Sequence, residues 1–307
     1  MPPESAPTRP ISSTAVAQQF SRRGDLQSAQ FLYAEIAARM MGRLKYIRLD
    51  PTDILDAGCA TGTALPLLRA RFERSHYTGL DHAAPLLALA QQHHGLGKFR
   101  SLMGKLTRST SGTTQFVQAD LARTMLPPES MDLVWSNLAL HWHPRPHDVL
   151  AEWQRILKVQ ALVMFSCFGP ATLRELRDAV ATAGLQTQTP AFVDMHDFGD
   201  LLVEKGFSDP VMDQEILTLT FETPERVLED VRALGGNPST GRRAGLVGRA
   251  WRDRLLAALE AQRGADGLIR MTIEVAYGHA WRAGARRSSP TETRLSVESI
   301  GGRRSKS

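Results

Sequence analysis

The chain of 307 residues holds two cysteines, Cys59 and Cys167, so at most one disulfide is available to it. Both fall at the ends of apolar runs, where free buried thiols of a reducing cytoplasm are the expectation. No apolar run approaches the roughly 18 residues that a membrane helix needs. The opening MPPESAPTRP lacks the apolar core of a signal peptide. The sequence therefore predicts a cytoplasmic protein with no membrane partner. There is no internal repeat, no GxGxxG and no phosphate-binding loop with its lysine, which argues against a pyrophosphate ligand. No helix-turn-helix pattern or aromatic interleaving points to nucleic acid. Apolar residues make up 42%, ordinary for a globular protein. The length suits one large domain, or a domain with a cap.

The informative stretch is Asp53 to Thr63, DILDAGCATGT. A short apolar run ends in Asp56 and breaks into a small-residue turn, and a helical pattern starts at Ala64. Such a strand, turn and helix lets a ligand lie against bare backbone near a helix N-terminus. The same turn can also serve packing alone. A second run, Tyr77 to Leu80, ends in Asp81, which lies 19 residues beyond Gly62. That is close to the spacing at which a carboxylate reaches a ribose diol. A third run ends in Asp120-Leu121 and a fourth in Ser136-Asn137. Each strand thus delivers a polar group at its carboxyl end, where open α/β sheets bind ligands. Ala60 stands where a dinucleotide fold places its second glycine, so a cofactor without a pyrophosphate fits better.

Strands and helices alternate through Cys167, the sign of a parallel sheet with crossover helices. Residues 1–13 are expected to be disordered and 14–46 helical. The stretch from His93 to Thr114 reads as a mobile inserted loop. The run Ile216 to Phe221 alternates and predicts an antiparallel strand, and Thr272 to Tyr277 the last strand. The fold expected over 14–283 is α/β, a Rossmann-like seven-stranded sheet with helices on both faces. A small helical cap is expected at about 224–268 and a basic disordered tail at 284–307. Residues 241–307 carry 14 Lys and Arg against 6 Asp and Glu, while the whole chain is only +5. Arg242, Arg243, Arg249, Arg252 and Arg254 fall where a helix is expected. Such a face would steer an acidic protein, or nucleic acid, toward it.

The ordered motifs LDAGCATG, GLD, QADL and DLVWSNLALHW resemble those of class I S-adenosylmethionine-dependent methyltransferases. Ser136 to Trp142, Thr172 to Leu176, and Tyr277 to Trp281 together resemble the malonyl-acyl-carrier-protein O-methyltransferases of biotin synthesis (BioC type). The similarity spans roughly residues 15–283. The later motifs also resemble the methyltransferase-fold assembly factor of mitochondrial complex I, which hydroxylates an arginine. A non-catalytic scaffold that keeps the fold is the third reading.

The resemblance implies S-adenosyl-L-methionine as cofactor and malonyl acyl carrier protein, an acidic partner, as substrate. Gly58 and Gly62 would let the methionine part approach the backbone, and Asp56 would meet its ammonium. Asp81 would take the ribose, Asp120 with Leu121 the adenine edge, and Asn137 the methionine part. Each could instead be a turn former or a helix cap. A malonyl carboxylate is already ionised at neutral pH, so no general base is required. A cation to fix it is, and Arg174 is the first candidate, with surface pairing to Asp178 as the alternative; Arg22 and Arg23 follow. His141 and Trp142 would line the acceptor pocket or pack the sheet. With His143 and His147 they suggest a metal site, which is rejected for want of partners at ligand spacing. Tyr277, His279 and Trp281 would share one strand face, either core or pocket wall. Three departures stand out. Ala60 replaces a glycine, Lys158-Val159-Gln160 lacks the Pro-Gly-Gly turn, and Gly24 to Gln27 lacks the usual tyrosine, for which Phe20 or Tyr33 could substitute.

Overall fold

The computed structural model describes residues 8–22, 27–95 and 112–284. Seven strands form one sheet: β1 (Asp53–Ala57), β2 (His76–Asp81), β3 (Thr114–Gln118), β4 (Met131–Asn137), β5 (Leu157–Phe168), β6 (Phe207–Phe221) and β7 (Ile269–Arg282). Their order is β3-β2-β1-β4-β5-β7-β6. Strands β1 to β5 pair in parallel, and β7 runs antiparallel to both β5 and β6. The strand expected at Ile216 to Phe221 does pair antiparallel, but the reversed member of the sheet is β7.

Nine helices accompany the strands among the described residues: α1 (Ser13–Arg22), α2 (Gln27–Leu44), α3 (Leu65–Arg71), α4 (Ala84–His94), α5 (Pro146–Ile156), α6 (Arg174–Thr182), α7 (Met195–Glu204), α8 (Pro224–Leu234) and α9 (Arg249–Glu260). The sheet separates two apolar cores because strand side chains alternate between faces. Ile54, Leu133 and Leu162 join Ile36, Met40 and Leu44 of α2 on one face. Their neighbours Leu55, Val134 and Val163 join Leu150 and Trp153 of α5 and Phe198 of α7 on the other. Helix α7 is capped by Asp194, whose side chain accepts from the His196 N–H, and Gly206 follows with φ 84°.

Residues 8–13, expected to be disordered, are instead tied down. The Ser12 N–H donates to the Pro238 carbonyl (3.0 Å), the Thr240 N–H to Pro10 (3.0 Å), and the Arg9 N–H to Pro144 (2.8 Å). The stretch expected as a mobile loop lies largely outside the described residues, as do the tail from residue 285, Gly24 to Leu26, and Arg23.

Chain order reverses between β1 and β4, whose neighbours run outward in opposite directions. A crevice forms at such a switch point, outside the carboxyl ends of the strands.

Candidate active site

A cavity of about 380 Å³ fills that crevice. Asp56, one residue before the end of β1, stands at its edge, the Gly58-Cys59-Ala60 turn and Asp81 form one wall, and Asp120, Leu121 and Asn137 another. Helix α1 covers it with Val16, Ala17 and Phe20, helped by Tyr33 of α2 and by Trp142.

Four amides of the turn are already engaged. The Gly58 and Cys59 N–H groups both donate to the Leu80 carbonyl, at 2.7 and 3.0 Å, and Gly62 N–H donates to Cys59. The Ala60 N–H donates to Asp81 Oδ2 at 2.9 Å. Those four are closed to a phosphate of the kind that anion-binding loops hold. Three carboxylates line the cavity, and no Lys or Arg does among the described residues. The site suits a cation, not a dinucleotide.

Asp56 is sealed in. Its Oδ2 accepts from the Tyr77 hydroxyl at 2.6 Å, while no hydrogen bond reaches Oδ1 among the described residues. Burial pushes its carboxyl up to about 7, opposed by the Tyr77 bond and helped by the charge of Asp81. Asp81 accepts the Ala83 N–H at Oδ1 (2.8 Å) and that of Ala60 at Oδ2, leaving each oxygen a further lone pair. Burial raises its pKa as well, against the pull of His82 and of the main-chain donors. Asp120 accepts from the Ala122 N–H at 2.7 Å and lies 3.3 Å from His143 Nε2. The His143 hydrogen bond holds its carboxyl below the usual range. Asn137 donates to the Tyr33 carbonyl (2.8 Å) and accepts from Ser166 (2.9 Å), which locks α2 onto β4 and β5.

The small residues of the turn have different reasons for being small. Gly58 has φ 83°, and a Cβ there would lie 2.2 Å from the Ala139 Cβ. Gly62 does not line the cavity. It turns the chain with φ 76°, and a Cβ on it would meet the His94 ring at 2.8 Å. Thr63 and Ala64 stand at the wall beside it. Ala60 has φ 47°, a left-handed conformation that glycine adopts without strain.

A methyltransferase-domain family profile matches residues 55–165. A malonyl-[acyl-carrier protein] O-methyltransferase of Laribacter hongkongensis is 43% identical over 84% of this chain and 85% of its own. The enzyme of that name from Gallionella capsiferriformans is 39% identical over 90% of this chain and 93% of its own. The chain belongs to the malonyl-[acyl-carrier protein] O-methyltransferase family. Among solved structures it resembles phosphoethanolamine N-methyltransferase 2 of Haemonchus contortus in complex with S-adenosyl-L-methionine, with a TM-score of 0.51 and 15% identity. That match covers 88% of this chain and 60% of the other, and it speaks for the class I methyltransferase fold.

In this malonyl-[acyl-carrier protein] O-methyltransferase family member, four expected catalytic residues lie away from the cavity. Arg174 starts α6 on the surface, 58% exposed, and pairs with Glu175 at 3.1 Å and not with Asp178. His141 is fully buried; its Nδ1 accepts the Phe168 N–H at 3.3 Å, and the rings of Phe168, Trp142 and Phe192 surround it. Burial, and then the charge of Arg9, hold it well below the usual imidazole range, so it is neutral and packs the sheet. Tyr277 donates to Glu215 on the face covered by α2, with the Arg43 guanidinium 3.7 Å above its ring. His279 pairs across β7 with Met164 and Val211, half-buried, and burial lowers its pKa. The face shared by Tyr277, His279 and Trp281 is thus packing surface. Alternation along a strand shows which residues point together but not what lies over them.

The segment expected as a cap, 224–268, contains α8 and α9 but does not line this cavity. Sequence reasoning did not single out Ser13, Val16, Ala17 and Gln30, which do line it. The Val16 to Phe20 spacing of four on a helix was the available signal. No group of three His, Cys, Asp or Glu among the described residues could hold a metal ion. None of their helices is long and apolar enough to cross a membrane. Cys59 and Cys167 are free and buried.

Proposed function

We propose that the protein transfers a methyl group from S-adenosylmethionine to the free carboxylate of a malonyl thioester on acyl carrier protein, a step of biotin synthesis in the cytoplasm. The observation that carries this reading is a covered, carboxylate-lined cavity without lysine or arginine among the described residues, in a chain aligned over most of its length with enzymes so named. When bound, S-adenosylmethionine supplies the methyl as a sulfonium electrophile. Asp56 Oδ1, the oxygen without a partner among the described residues, receives the cofactor's ammonium. Asp81 accepts the ribose hydroxyls with the lone pairs that Ala60 and Ala83 leave. Asp120 and Leu121 border the adenine, and Asn137 and Gly58 the methionine part. Phe20 and Val16 of α1 keep water from the reacting centre, as an in-line displacement requires.

The acceptor carboxylate is ionised at neutral pH and needs no base. A neutral, enclosed His141 agrees with this. With no arginine lining the cavity among the described residues, the acceptor's charge is balanced by the sulfonium and not by Arg174. Arg242, Arg243, Arg249, Arg252 and Arg254 are all exposed on the insertion formed by residues 224–268 and offer an acidic carrier a steering face.

The test is methylation of purified malonyl acyl carrier protein, read by mass spectrometry of the intact carrier. The expected product is the methyl ester. Saturating enzyme that binds the cofactor yet leaves the malonyl carrier unmodified would refute the proposal.

A further inference from the structure

A second cavity, of about 150 Å³, lies where α6, α8 and α9 meet. A void of about 10 Å³ continues it inward. The two share Thr172, Leu173, Pro190, Phe192, Val231 and Gly236 as walls. The void in turn borders Trp142, the one lining residue it has in common with the main cavity. The three spaces are therefore linked by shared walls, the inner two through the Trp142 indole.

That partition is seated without a polar anchor. Trp142 is 7% exposed, and its indole N–H has no acceptor among the described residues. A buried donor left unpaired is a cost to this position of the ring, and one that an incoming oxygen would relieve. The ring lies against Gly235, where a Cβ would come within 2.0 Å of it. Gly235 ends α8, so the break in the insertion makes the room that the indole occupies.

The outer cavity mixes apolar walls with the hydroxyls of Thr187 and Thr189, the amide side chain of Asn237 and the Arg177 guanidinium, which is held by the Thr172 and Pro170 carbonyls. Such a lining suits a narrow chain in which methylenes alternate with amides, as in the arm that carries an acyl thioester. Helix α9 joins this space to the charged surface. It turns Trp251 and Leu255 onto the cavity and leaves Arg249, Arg252 and Arg254 exposed. A carrier held by those arginines would stand at the outer opening.

We propose that the outer cavity and the void form the entry channel for the acceptor's thioester arm, which displaces the Trp142 indole to bring the malonyl carboxylate to the cofactor. This inference rests on the function proposed above. It assigns the insertion a substrate-guiding role, with Trp142 as a positioning residue.

Two substitutions narrow the channel at different depths, Val231→Phe at the void and Thr189→Trp in the outer cavity. Both side chains are half-buried, so each variant is checked by thermal melting, and either one that folds carries the test. With malonyl acyl carrier protein as substrate, kcat/KM is expected to fall at least tenfold in each, while the S-adenosylmethionine dissociation constant measured by calorimetry stays within twofold. A wild-type kcat/KM in either folded variant overturns the channel alone. A wild-type protein that makes no methyl ester on the malonyl carrier overturns the channel and the function together.

Discussion

Replacing Asp56 with asparagine isolates the electrostatics of the cavity. The carboxyl of Asp56 is pushed up to about 7 from an ordinary 3.8. That difference of roughly three pH units corresponds to about 4 kcal/mol against the ionised form in the empty protein. The unfolded carboxyl has lost its proton by pH 5, whereas the folded one keeps it until about pH 7. The folded state therefore binds more protons over this window, and its stability falls as pH rises through it. The contribution is full below the unfolded pKa and gone above the folded one. The asparagine amide would still accept the Tyr77 hydroxyl but would not titrate. The stability of Asp56→Asn relative to wild type should then grow by about 1.4 kcal/mol per pH unit between pH 5 and 7 and level off above. Asp81 is present in both proteins, so its own titration largely cancels in the difference. Urea unfolding of the cofactor-free proteins at pH 5, 6, 7 and 8 measures this. A second arm follows the cofactor: an ammonium at Asp56 favours the ionised carboxylate, so wild-type affinity for S-adenosylmethionine should rise up to about tenfold per unit from pH 5.5 to 7. The variant should lack that slope. A stability difference that stays flat from pH 5 to 7 would refute the reasoning, because Asp56 would then titrate as an ordinary surface carboxylate.

Other perturbations follow from the same geometry. Gln160→Gly should raise stability by roughly 1 kcal/mol, since Gln160 is exposed with φ 63° and glycine relieves a left-handed conformation; a lower melting temperature would contradict this. Ala60→Gly, at φ 47°, should gain a similar amount without weakening the cofactor, and a calorimetric titration checks the second half. Asp81→Asn should weaken S-adenosylmethionine by roughly 2 kcal/mol, what a hydrogen bond to a charged group is worth, with unchanged affinity removing Asp81 from the site. Arg174→Ala should leave kcat/KM for malonyl carrier within twofold and stability within about 1 kcal/mol, as for other exposed pairs; a hundredfold loss would restore Arg174 to the acceptor site.

Much of the fold was legible because its signals are local. The first, second and fourth strands are apolar runs that close on polar residues, the third leads through Ala119 into Asp120, and Asp56, Asp81, Asp120 and Asn137 all line one cavity. The two positions where glycine was missed, Ala60 and Gln160, both carry a positive φ. Residues 9–12 were illegible because their hydrogen bonds reach Pro144, Pro238 and Thr240, far along the chain. The role of Gly62 was not legible in the turn alone, because strand-turn-helix chemistry asks for glycine equally for a ligand and for the His94 ring that packs behind it.

The sequence by itself determined the sheet, the turn after β1 and the spacing of the carboxylates, since strand periodicity and turn conformation are set by neighbours within a few residues. Only the tertiary structure decided which faces meet. It put Tyr277 and His279 under packing, Arg174 in solvent, α1 over the cofactor cavity and the basic insertion beside a second one. Those outcomes depend on contacts between residues far apart along the chain, and no local pattern encodes what a side chain will find on the far side of its own strand or helix.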